Sequence, residues 1–269
     1  MDYIDLTLQE GGSGVSDYNL LSNQPQINGV TLTGNKSSID LGIFLPDGYT
    51  INVATDGTGD FTDIQSALDS LQGKVCAGTV VVSLKAGDTF TVNGAITIPG
   101  NLNCTVLYFK GSSTTRATIN CTGVKLSDAF VLQHIVIADL NFIYNGANNE
   151  YCFASDCTAP ILLLNRVSFS NFSRAVSIAM GDVICINSIT ITHTGTGNAG
   201  FTCWGGHLRF RGCTLSITNY TYGINQNTGA WVQLMDSTYT ISNVTNRYAI
   251  TKNTFTANGT VYVTGTTEN

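Results

Sequence analysis

The sequence predicts an all-β chain: a single-stranded, right-handed parallel β-helix, with a capping helix at its N-terminal end and an extended anchor ahead of that. Three observations lead there. From about residue 78 onward, short runs of β-branched and aromatic residues alternate with turns rich in Gly, Asn, Ser and Thr. The later part repeats itself: ADLNFIYNG from Ala138, NRVSFSNFS from Asn165, NSITITHTG from Asn187, RGCTLSITN from Arg211 and MDSTYTISN from Met235. A single amphipathic helical pattern stands before these strands.

Taken in order, residues 1–45 are polar and loop-rich and read as a leader, with residues 46–269 as the β-helix. Within Pro46–Leu71, INVA is a short strand and DGTGD a Gly-rich turn. A helix over about 62–71 follows, with Thr62 as N-cap and Gln65 three residues on, a capping-box pattern. Ile64, Ala67, Leu68 and Leu71 give it one apolar face, suited to covering the open end of a β stack. The strands TVVVSL, AITI, TVLYF, ATINC and the longer run FVLQHIVIADLNFIY come next.

In the repeats, the apolar pairs Leu140/Phe142, Val167/Phe169, Ile189/Ile191, Leu215/Ile217 and Tyr239/Ile241 recur at about 22–27 residues, one coil of a β-helix. A coil cannot bury its inward side chains alone. Coils stacked about 4.8 Å apart pair every strand with its copies above and below. Asn at the turns tolerates left-handed backbone angles and can bond along the stack. A β-sandwich also places short strands at regular spacing. The repeat and the leading helix favour the β-helix.

Only 11% of the 269 residues are charged, and the net charge is −6. The 12 Lys and Arg residues are scattered, with only Arg209 and Arg211 close together, so nucleic acid is not an expected partner. No apolar stretch approaches the roughly 20 residues that span a bilayer, and no signal peptide opens the chain, so no membrane partner is expected and synthesis in a bacterial cytoplasm is. The eight cysteines form no C-x-x-C and no zinc spacing. They read as buried free thiols, and neither a metal nor a cofactor is expected.

Residues 17–43, DYNLLSNQPQINGVTLTGNKSSIDLGI, carry a fixed-spacing pattern through Asn23, Pro25, Ile27, Asn28, Gly29, Val30, Gly34, Asn35, Lys36, Leu41 and Gly42. The pattern resembles a leader of bacteriophage fibre and appendage proteins. That resemblance implies a head fibre or tail appendage on the virion surface, joined through its N-terminus to capsid or tail proteins, and by analogy a homotrimer. A second stretch, VATDGTGDFTDIQSAL (Val53–Leu68), resembles the opening of pectin-lyase-like β-helix proteins, including pectin methylesterases. It implies the fold entry. The esterase motifs of the Q-A-V-A-L, Q-D-T-L and D-F-I-F-G type are absent from this sequence, so esterase activity is not expected.

Glycoside hydrolysis needs two carboxylates at a set separation. Glu150, the only glutamate between Glu10 and Glu268, with nearby Asp156 is the pair to consider, against a bland reading as solvated loop acids. Asp56 and Asp60 read as turn formers, and His134, His193 and His207 as isolated strand or turn residues. Trp204, Trp231, Tyr220 and Tyr222, with Tyr239 and Tyr248, could stack on the sugars of a host-surface glycan or belong to the core. The expected function is a non-enzymatic virion fibre for host adhesion. The alternatives are a tailspike-like polysaccharide depolymerase and a capsid decoration protein that stabilises the particle.

Overall fold

The computed structural model describes residues 26–27, 29–32, 36–37, 40–42, 44–126, 134–146, 151–155, 161–226, 230–250, 255–258 and 261–264. The chain falls into two compact units, Met1–Phe44 and Leu45–Asn269. In the first, Gln26–Ile27 pairs antiparallel with Val30–Thr31 across a turn where Gly29 takes φ 76°.

The second unit is a parallel β-solenoid whose strands stack on three faces. The first face begins with Tyr49–Val53, Thr79–Leu84, Val106–Lys110 and His134–Ala138, and continues through the first parts of Ile161–Ser170, Asp182–Cys203 and His207–Gln226 to Trp231–Met235. Its inward column reads Ile51, Val82, Phe109, Ile137, Leu164, Cys185, Phe210 and Leu234, all buried. The second face stacks Phe90, Ile119, Phe142, Phe169, Ile191, Ile217 and Ile241 inward, and the third Ile96, Val124, Phe153, Val176, Phe201 and Ile224. Each such side chain contributes about 1.5–3 kcal/mol by leaving water. The repeat alignment read from the sequence is the register observed, since Val167, Ile189, Leu215 and Tyr239 also stack on one another.

Corners are turned by single residues in the left-handed region. Between the first and second faces these are Asp139, Arg166, Asn187, Gly212 and Asp236, and between the second and third Asn171, Asn219 and Asn243. The side chains then bond up the stack: Asn187 Nδ2 donates to Asn165 Oδ1 at 2.7 Å and Asn243 Nδ2 to Asn219 Oδ1 at 3.1 Å. Arg166 donates twice to buried Asp139, at 2.5 and 2.8 Å, which offsets the roughly 1–2 kcal/mol that a left-handed non-glycine backbone costs. The corner at Asp139 also splits the expected long run FVLQHIVIADLNFIY into the strands His134–Ala138 and Leu140–Tyr144.

The helix differs from the expectation in its bounds and its cap. It spans Ile64–Asp69, and Asp63 rather than Thr62 is the N-cap, its carboxylate accepting from Ser66 N at 2.8 Å. A carboxylate reaches the orphan N–H groups of the first turn and carries the charge their dipoles favour. Gln65 is thereby free for another task. Its amide donates to Thr97 O (3.0 Å) and accepts from Thr97 N (2.9 Å), so one side chain fills the place of a preceding strand beside Ala95–Ile98.

Candidate functional site

The corner between the third and first faces in the later coils is tight and glycine-built. Gly181 takes φ 88°, and a Cβ on Gly206 would lie 2.5 Å from Gly181 O. Main-chain bonds stack the turns: Trp204 N donates to Ile178 O (2.7 Å), His207 N to Gly181 O (2.8 Å) and Trp231 N to Gly206 O (3.0 Å). His207 is the register partner of Asp182 in the coil before and of Trp231 in the coil after.

Their side chains meet. His207 Nδ1 lies 2.7 Å from Asp182 Oδ1, and its ring stands edge-on to Trp231 with centroids 5.4 Å apart. The Arg209 guanidinium sits over the Trp231 ring at 5.5 Å, with Nη2 3.6 Å from Asp182 Oδ2. That last separation is an ion pair, too long for a hydrogen bond. Arg209 Nε is buried without a hydrogen-bond partner, a state that costs about 1–3 kcal/mol. Trp204, in the turn entering this strand, is 45% exposed. Of the only two tryptophans of the chain, Trp204 thus lies in the turn at this corner and Trp231 opens the strand stacked on the next coil.

The cluster offers aromatic and cationic surface, with Asp182 as its carboxylate. Hydrolysis of a glycosidic bond calls for a second carboxylate beside the first. The neighbouring Cys203 thiol is buried, donates to Gly206 O at 3.2 Å and is pushed up to about 12 by desolvation, so it supplies no thiolate at neutral pH. Among the described residues no group of three or more His, Cys, Asp or Glu is placed to hold a metal ion, and no helix is long and apolar enough to cross a membrane.

The other sequence candidates are dispersed. Tyr220 is a correction: it is fully buried, its hydroxyl donating to Phe172 O at 2.7 Å, because Gly197 in the coil below leaves room for its ring. It cannot stack on a ligand. Tyr239 is core, and Tyr222 is half-buried on the third face, in register with Ala199. Glu150, Asp156 and the side chain of Tyr248 lie outside the described residues, as do Asn23, Pro25, Asn28, Gly34 and Asn35 of the leader. Of the remaining leader candidates, Ile27 and Lys36 are exposed, while Val30, Leu41 and Gly42 are partly buried.

Asp56 pairs with Lys85 and accepts from Thr58, and Asp60 accepts from Asn52 N at 2.7 Å, so both serve their turn. Sequence reasoning does not bring Asp182, His207 and Arg209 together as a cluster. The signal was present, since Asp182 and His207 are 25 residues apart, one coil. A cleft of about 420 Å³ beside the helix is lined by Thr62, Asp63, Gln65, Thr91 and Asn93, and Asp63 there is already spent on the cap.

Comparison with known protein families, with characterised proteins and with solved structures gave no match to this chain.

Proposed function

We propose that this chain is a virion-surface fibre of the phage head-fibre or tail-appendage type. Residues 1–45 join it to capsid or tail proteins, and the solenoid holds out a glycan-binding corner. The observation that carries the adhesion half is the meeting of Asp182, His207, Arg209 and Trp231 side chains beside the turn that bears the exposed Trp204. Indole rings supply apolar faces for sugars, and flanking polar groups fix orientation. The attachment half rests on the resemblance of residues 17–43. A homotrimer is the assembly we expect by analogy.

Removing residues 1–45 is expected to leave a folded solenoid that no longer incorporates into particles. Normal incorporation of the truncated protein would refute the attachment reading. The Asp182–His207 pair favours one second reading, a polysaccharide depolymerase. That reading requires cleavage of host polysaccharide that disappears in Asp182→Asn and His207→Gln while folding is retained.

A further inference from the structure

We infer that the corner selects sugars bearing an anionic substituent. The inference rests on the glycan-display reading above and names the ligand class for that site.

Along the strand His207–Gln226, Leu208 and Phe210 are buried, which turns His207, Arg209 and Arg211 outward on the first face at intervals of about 6.7 Å. This row is a local exception in a chain of net charge −6. On the neighbouring coils a single carboxylate, Asp182, faces both His207 and Arg209, and the register partners of Arg211 are uncharged. Arg209 stands between Ile184 and Gln233, and Arg211 between Ile186 and Met235, while Asp182 lies at the His207 end.

Asp182 spends one oxygen on His207 and reaches Arg209 only at 3.6 Å. The Arg209 guanidinium therefore makes no hydrogen bond to Asp182, and Arg211 is exposed on the same side. A guanidinium with open donors takes an oxyanion in a forked geometry, and the apolar Ile184 and Ile186 beside the two arginines strengthen that attraction. The occupant can also lay a flat apolar face on Trp204, exposed in the turn that enters this strand. An acidic sugar combines both properties, whereas a neutral glycan leaves the row unanswered. Two arginines are too few to follow a nucleic-acid backbone.

The test is calorimetric titration of the full chain with a neutral oligosaccharide and with the same oligosaccharide carrying a carboxylate, a sulfate or a phosphate. At least one acidic form is expected to bind about tenfold more tightly than the neutral one. Arg211→Gln, at an exposed position, is expected to remove that margin without changing the thermal midpoint, and Trp204→Ala to weaken every form. Equal affinity for neutral and acidic forms, indifferent to Arg211→Gln but lost in Trp204→Ala, overturns the acid preference and leaves the glycan reading standing. Tighter binding of an Asp- and Glu-rich peptide than of any acidic sugar overturns the ligand class. No binding to any sugar overturns both readings.

Discussion

The solenoid before Asp139 and the solenoid after it solve the same problem differently. In the early coils each strand is short, three to six residues, and the chain leaves the stack between strands through turns whose left-handed residues are glycines: Gly48, Gly57, Gly73, Gly87, Gly94 and Gly123. In the later coils the strands run on for 22 residues (Asp182–Cys203) and 20 residues (His207–Gln226), bending at left-handed Asn187 in the first and at Gly212 and Asn219 in the second. Glycine supplies the angle alone. Asparagine supplies the angle together with a bond to the next coil. Coils that turn on side chains hold one another in register, and side chains one coil apart can meet at fixed geometry. The candidate site lies in the later part, on strands that enter from the glycine-built corner of Gly181 and Gly206 and bend next at Asn187 and Gly212.

The boundary between the two styles is packed by an aromatic cluster, and breaking it is the severest test of the comparison. Phe142 contacts Phe153 and Phe169 at centroid distances of 5.4 and 5.8 Å. Phe142→Ala is expected to cost about 3–5 kcal/mol in a urea titration. If the halves are energetically coupled, the single transition should move as one; if they are not, it should split in two.

Arg166→Ala strips the partner from buried Asp139 at the first side-chain corner, for an expected loss of about 3 kcal/mol. Asn219→Val should cost about 2 kcal/mol, combining left-handed strain with the lost bond to His193 O, whereas Asn219→Gly should cost about half of that. At Gly48, where φ is 74° and a Cβ would meet open space, Gly48→Asn should be nearly neutral and Gly48→Val cost about 1–2 kcal/mol. Equal tolerance of valine at both kinds of corner would dissolve the distinction.

The smallest effect is shared by both halves. All seven described cysteines are free and buried; Cys157 lies outside the described residues. Desolvation pushes Cys104 and Cys213 up to about 12 and Cys121 to about 11. An unfolded thiol releases its proton near 9, and the folded one retains it. The contribution is intact below about pH 9 and is lost as pH rises from there toward 12. Stability measured from pH 8 to 11 should fall over that window, and the seven described thiols should resist thiol reagents in native protein at pH 8.

The inward columns were legible in the sequence because their chemistry is repeated: Val167/Phe169 and Ile189/Ile191 announce the same pair of positions. The left-handed asparagines were legible for the same reason. The helix was visible from Ile64, Ala67 and Leu68, but its cap was misassigned because Thr62 and Asp63 are both good caps, and the choice fell to geometry around Ser66. The site was only half legible. Both tryptophans stood out by rarity. His207 and Asp182 become a pair only once the coil length is known, and Tyr220 looks like surface until Gly197 is seen to make room for it.

The side-chain corners have a further consequence, for length. One later coil begins at Asn219 and is followed by Asn243, two left-handed asparagines bonded to each other, so that coil works as a spacer set between matching joints. Duplicating it would extend the body by about 4.8 Å and carry the register forward unchanged. Reach becomes a quantity that small duplications or deletions can adjust, while the glycine-turned start fixes the end from which it is measured.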